Sequence, residues 1–289
     1  MKCYDELTIT DDFFFCKIMS EPTLCKQMIE VLLNIEVDHI ENINNQHSIA
    51  PSYDSRSIRL DVYVKNSDKI FDIEMQTTNK YNLEKRSRYY QSVLDLDDLS
   101  KNMDYKKLKE SYIVFICTYD PFLQGILQYT VEQSFLEKPG VRYDDNTHKV
   151  FYNLLSDELE KDNTPRGRFL RYLKNNVPTD DFTQNIHDSL KRFKINANWR
   201  KEYMTVGMLI DEEKEKAKKE GIAQGIAQGH KTGLKEGITQ GHKTGLKEGI
   251  TQGKIEAAII AIKEFNLPIE QVAIKYDIPI EELKKQMTL

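Results

Sequence analysis

The chain has 289 residues, with 41 Lys and Arg against 46 Asp and Glu, a formal net charge of -5, and 39% hydrophobic residues. This is the composition of a soluble, folded protein: one moderate domain plus extensions rather than two full domains. Net acidity argues against a purely electrostatic nucleic-acid coat but leaves room for local basic patches. No apolar run reaches the ~18 residues that a membrane span requires. The opening MKCYDELTITDDFFF places acids where a signal peptide needs an apolar core, so a cytoplasmic location is expected. Cys3, Cys16, Cys25 and Cys117 form no C-x-x-C pair and read as reduced thiols. The histidines (His39, His47, His148, His187, His230, His242) are scattered, which disfavours a His-based metal site or catalytic dyad.

Along the chain, residues 11–34 space their apolar side chains as a helix does (Phe14, Met19, Leu24, Met28, Val31, Leu32), with Pro22 breaking it or opening a turn. Residues 36–45 read as a strand. Residues 57–65 alternate, so Ile58, Leu60, Val62 and Val64 are expected on one face and Arg59, Asp61 and Tyr63 on the other. After a turn at KNSDK, residues 69–78 alternate again. Phe71, Ile73 and Met75 share one face, and Asp72, Glu74 and Gln76 the other. Residues 80–99 look helical, with Arg86, Arg88, Tyr89 and Tyr90 near the start. SYIVFICTY (111–119) is almost continuously apolar, the pattern of a strand covered on both faces. The order is helix, strand, strand, strand, helix, strand, an α/β core.

Beyond residue 120 the pattern weakens. Residues 151–155 read as a short strand, and 165–176 and 180–204 as helices. Residues 165–201 hold nine Lys and Arg against three Asp, a net of +6. That segment is either a solvated helical face or a surface for phosphates.

The tail is different. Nine of the 13 glycines fall at every fourth position from Gly221 to Gly253, and GHKTGLKEGITQ occurs twice in succession, at 229–240 and 241–252. Nine interior glycines cost a lone helix about 9 kcal/mol relative to alanine. The remaining Ala, Gln, Lys, Glu and Leu favour helix. The segment is therefore a linker of variable length or a glycine-lined helix that pairs with another chain. The stripe advances about 40° per repeat. DEEKEKAKKE (211–220) leads in as helix. After the repeat, residues 254–265 have a helical pattern, and Pro268 and Pro279 open two short helices. Val272, Ala273, Ile278 and Leu283 are spaced as in a helix-turn-helix, but the second helix has no Arg or Asn for base contacts. A small helical cap or an oligomer contact is expected, with self-association through residues 221–289. The expected divisions are 1–205, 206–253 and 254–289.

The chemistry concentrates in the two alternating segments. If they form a hairpin with Val64 near Phe71, Asp61 lies across from Glu74, and a slip of one residue destroys this. Asp61, Glu74 and Gln76 then converge on one face. Paired carboxylates suit a hard divalent cation, and the Met75 backbone carbonyl offers a further oxygen. On alternation alone, a solvated sheet face is the simpler reading.

RLDVYVK, with Arg59 and Asp61, and FDIEMQ, with Glu74 and Gln76, are followed in order by KRSRYYQSVLDLDDL, LKESYIVFICTYDPF and NWRKEYM. Together these segments resemble the PD-(D/E)XK nuclease superfamily, most closely its recombination-promoting nuclease / putative transposase branch, over about residues 5–205. The resemblance implies a restriction-endonuclease-like core (α-β-β-β-α-β) with a helical C-terminal extension. It implies hydrolysis of DNA with Mg²⁺, or Mn²⁺ in its place, and a link to recombination or mobile elements. Asp61 and Glu74 would be the metal-binding acids. Gln76 stands where many members carry Lys, which leaves open what supplies positive charge; Arg86 or Arg88 is the candidate. Glu30 is the candidate upstream acid. The alternative is a nuclease-derived DNA-binding or oligomeric scaffolding protein that has lost cleavage.

Overall fold

A computed structural model describes residues 2–49, 58–79, 81–100 and 102–287, save the side chains of residues 42 and 45–47. Ser57 and Lys80, at the edges of an expected strand and helix, lie outside the described residues. The chain divides into two compact units, Met1–Met208 and Leu209–Leu289.

In the first unit, the expected opening helix is two helices, α1 (Asp12–Ile18) and α2 (Pro22–Leu33). Pro22 lacks an N–H and presets its φ, so it suits the first turn of α2 rather than the middle of one long helix. The next strand, β1 (Asn42–Ile49), starts later than expected. The chain before it is held as a loop, because Val37 is buried in the core and its N–H donates to Glu30 Oε1 at 3.1 Å.

β2 (Ile58–Lys65) and β3 (Lys69–Gln76) follow, then α3 (Leu83–Asp98), β4 (Glu110–Cys117), β5 (Gln128–Val131), β6 (Thr147–Asn153), α4 (Pro165–Asn175) and α5 (Asp181–Ile195). The sheet order is β1-β2-β3-β4-β6-β5. β1, β2 and β3 are antiparallel neighbours, β3, β4 and β6 run parallel, and β5 is antiparallel to β6. β4 is inside the sheet, which explains its apolar run. Val114 and Ile116 face one core with α1, α2, α4 and α5, while Ile113, Phe115 and Cys117 face a second core under α3. This is the restriction-endonuclease-like arrangement of a mixed sheet between helical layers.

The helical pattern over 180–204 contains a break. α5 ends at Ile195, and Asn196 Oδ1 accepts from the Asn198 N–H at 3.0 Å, capping the start of α6 (Ala197–Phe265). The basic segment 165–201 is tied to acids and carbonyls. Arg166 pairs with Asp162, Arg168 with Asp180, Lys174 with Glu160, Arg192 with Glu21 and Arg200 with Asp5. Arg171 donates to the carbonyls of Leu159 and Asp162. Asp5, Glu21, Glu160 and Asp162, which lie outside the segment, thus reduce its net of +6 to +2. A solvated, ion-paired helical face fits the structure better than a phosphate-binding surface.

In the second unit the glycine repeat is helical: α6 continues through all nine repeat glycines, and every residue from Met208 to Lys254 is exposed. A Cβ built on any repeat glycine meets nothing within 4 Å. The end of α6 packs with α7 (Ile269–Tyr276) and α8 (Ile280–Met287) around Ala258, Val272, Ala273, Ile278 and Leu283. Asp277, in the left-handed region at φ 54°, makes the turn between α7 and α8.

Candidate active site where the hairpin opens

β2 and β3 pair in the register expected from their alternation, with Val64 opposite Phe71 and Val62 opposite Ile73. One step further the side chains take over from the backbone. The Asp61 N–H donates to Glu74 Oε1, and the Met75 N–H donates to Asp61 Oδ2, both at 3.0 Å. Two carboxylates are thus threaded between the strands. The strict alternation expected for β2 fails at this point. Val62 and Val64 pack in the first core, whereas Ile58 and Leu60 pack with Tyr63 in the core under α3. The change falls where the β2–β3 ladder ends, at Val62, while β2 keeps one register with β1 on both sides of Asp61.

On β3, Glu74 is 2% exposed and Asp72 0%, so this face is not the solvated surface that alternation alone favours. Glu74 Oε2 accepts from Gln76 Nε2 and from an Arg86 guanidinium nitrogen, each at 3.3 Å. Arg86 also donates to Gln76 Oε1 at 2.7 Å and to the Tyr90 hydroxyl at 2.9 Å. Its guanidinium lies 5.2 Å from the Tyr90 ring centre and 5.6 Å from that of Phe115. Gln76 therefore links the acid to the cation. α3 makes this possible: Leu83, Ser87, Tyr90, Gln91, Val93 and Leu94 are its buried positions, and Arg86 sits beside them at the end nearest Gln76.

The third acid comes from α1. Phe13, Phe14, Phe15 and Ile18 bury that helix in the core, and Asp12 in its first turn meets β2. Asp12 accepts from Arg59 at 2.5 Å, and ligand atoms of Asp12, Cys16 and Asp61 lie within 4.8 Å of one another. Burial, then the charges of Glu74 and Asp12, push the Asp61 carboxyl well above the usual range. Burial and the charge of Asp72 do the same to Glu74, against the pull of the Asp61 amide and Arg86. Asp72, raised first by burial and then by Asp61, has no hydrogen-bond partner on either carboxyl oxygen among the described residues. Asp12, Asp61, Glu74, Gln76 and Arg86 line one cleft of about 760 Å³, with Lys85 and Tyr89 also on its wall.

Of the expected residues, the structure brings together Asp61, Glu74, Met75, Gln76 and Arg86. It does not bring in Glu30, whose carboxylate is engaged with the Val37 amide and with Lys26 at 3.8 Å, nor Arg88, which is exposed and away from the cleft wall. Asp12, rather than Glu30, is the acid of the helical layer that lies beside Asp61. The only sequence signal for it is an acid at the head of a strongly apolar helix. Tyr90, which reads as packing, also holds Arg86.

Residues 10–180 match the family model described as PD-(D/E)XK nuclease family transposase. The chain belongs to this family. The match contains every residue of the cleft. Comparison with curated proteins gives no match, and neither does comparison with solved structures.

PD-(D/E)XK nucleases generally use divalent metals, and the donors present in this member fit one. Buried carboxylates that raise one another's proton affinity are relieved by a nearby dication. The oxygens of Asp12 and Asp61 suit a hard cation better than the Cys16 sulfur beside them, and burial pushes that thiol upward.

Proposed function

We propose that this PD-(D/E)XK protein is a Mg²⁺-dependent DNA endonuclease, with Mn²⁺ able to substitute, that acts in the cytoplasm in recombination or on mobile elements. The observation that carries this reading is the pair of reciprocal hydrogen bonds that locks Asp61 and Glu74 side by side in a cleft shared with Asp12 and Arg86. Asp61, Glu74 and the Met75 carbonyl would hold the ion, with Asp12 as a further oxygen donor. A bound dication supplies Lewis-acid polarisation of the phosphate and a water of lowered pKa.

The chain's own groups do the rest. Arg86 keeps its charge at any working pH and offers several donors in a planar fork, which suits a phosphate. Gln76 cannot supply charge. It accepts from Arg86 and donates to Glu74, so it orients the residue that does. On this reading Arg86 supplies the charge that a Gln at position 76 leaves open.

The test is supercoiled plasmid incubated with and without Mg²⁺. Cleavage should require the metal and should vanish in Asp61→Ala and Glu74→Ala. DNA binding without cleavage under every metal condition would instead favour a scaffolding protein.

The tail adds self-association. Ile222, Ile226, Leu234, Ile238, Leu246 and Ile250 are each more than half exposed along α6, although an isolated helix with nine glycines is poorly stable. Packing against a second copy would offset both defects.

A further inference from the structure

Among the described residues, eight other than glycine have φ between 49° and 73°. Six are Asn or Asp, whose short polar side chains tolerate the left-handed region. The other two are Tyr81, at φ 50°, and Leu123, at 58°. A bulky residue in this conformation is strained, and such strain concentrates at functional sites. Both side chains are also held out in solvent, Tyr81 80% exposed and Leu123 74%.

The two tips share an end of the sheet. Tyr81 lies between Gln76, the last residue of β3, and Asn82, which lines the cleft. Leu123 follows β4, whose chain leaves beside that of β3, since the Thr118 N–H donates to the Gln76 carbonyl at 2.9 Å. Both tips carry local hydrogen bonds, and that of Leu123 is the more firmly anchored. The Tyr81 N–H donates to Asn79 Oδ1 at 2.8 Å. Asp120 accepts from the amides of Phe122, Leu123 and Gly125 and from the Tyr129 hydroxyl, and Phe122 packs on Phe151. Gly125, at φ 74°, completes that loop where a side chain would be strained.

A loop that presents an aromatic or branched aliphatic side chain to water near a cleft that carries Arg59, Lys85 and Arg86 beside its acids matches what nucleobases demand. Aromatic rings stack on bases, and aliphatic wedges enter base steps. We propose that Tyr81 and Leu123 are base-contacting tips that engage the bases of the strand whose phosphate enters the cleft. This rests on the DNA-nuclease reading above.

The test exploits the strain. Asn fits the left-handed region better than Tyr or Leu, so Tyr81→Asn and Leu123→Asn should melt at or above the temperature of the unmodified protein. Binding is read by fluorescence anisotropy on a labelled mixed-sequence duplex, with Ca²⁺ in place of Mg²⁺ to hold off cleavage. Each substitution should weaken binding about tenfold, through a lost base stack at Tyr81 and a lost wedge at Leu123, and Tyr81→Phe should bind as the unmodified protein does. The slope of affinity against salt should not change, because no phosphate contact is lost. A double variant that binds within about twofold of the unmodified protein, or a shallower salt slope, overturns the proposal. If the unmodified protein does not bind the duplex at all, the DNA-nuclease reading fails first and this one with it.

Discussion

The hairpin that carries Asp61 and Glu74 and the helix that carries the glycine repeat break opposite rules. The hairpin buries charge: Asp61, Asp72 and Glu74 are each under a tenth exposed, with Arg86 half-buried beside them. The repeat exposes what is usually buried, with six isoleucines and leucines in water along one helix. Local departures from good folding practice mark function when the surroundings force them. In the hairpin the surroundings do force them, because two apolar cores clamp the strands on both faces. In the repeat nothing within the described chain does so, and self-association is proposed there for that reason.

The first way to test that contrast is to loosen the clamp. Phe14 is wholly buried in α1. Phe14→Ala should cost about 3–5 kcal/mol of unfolding free energy. Because α1 carries Asp12, cleavage should fall well before the melting point is reached. Ile238→Ala, on the exposed stripe, should leave the unfolding of the first unit unchanged. Urea denaturation followed by tyrosine fluorescence reads both. A small effect at Phe14 would mean that the core does not hold the acids in place.

The second concerns the glycines. Alanine at Gly225, Gly233, Gly241 and Gly249 meets no neighbour within the chain and should favour helix by about 1 kcal/mol per site, roughly 4 kcal/mol together. The far-ultraviolet dichroism of the repeat should then persist to higher temperature. If the glycines are where a second copy approaches, the same variant loses its self-association by light scattering. A more helical tail that still associates would place the contact elsewhere on α6.

The third acts on Arg86. Replacing it with Lys keeps the charge but loses the fork that reaches Glu74, Gln76 and Tyr90 at once. Plasmid cleavage by Arg86→Lys should drop by about 10- to 100-fold, the range for a lost supporting partner at a metal site. Arg88→Lys should match the unmodified protein.

Much of this was legible in the chain. The alternation of residues 62–65 and 69–76 specified the hairpin register, because a slip of one residue would turn Val62, Val64, Phe71 and Ile73 out of the core. The continuous apolar run of β4 announced a strand buried on both faces. Other features had no local signal. β5 is four residues long and half exposed, so its sequence carries little pattern. Asp12 lies 47 positions from Arg59, its ion-pair partner, and periodicity does not report contacts made by tertiary packing. The change of core at Asp61 was hidden for a different reason: Ile58, Leu60, Val62 and Val64 keep the same alternation through it in the sequence. Between Arg86 and Arg88, only the helical turn that meets Gln76 decides.

The smallest expected effect separates metal binding from catalysis. An ion that binds the folded cleft and not the unfolded chain stabilises the fold by RT ln(1 + [L]/Kd). At a concentration ten times its dissociation constant this is about 1.4 kcal/mol. Mg²⁺ should therefore raise the melting temperature of the unmodified protein by a few degrees in a buffer without DNA. Asp61→Asn should behave in the opposite way on both counts. Without metal it should be at least as stable, since it removes a buried acid crowded by Asp12 and Glu74. With Mg²⁺ it should gain nothing further. The asymmetry matters more than either shift. A purely structural carboxylate would destabilise the protein when replaced and leave the response to Mg²⁺ intact, whereas a ligand held under strain for its ion does the reverse.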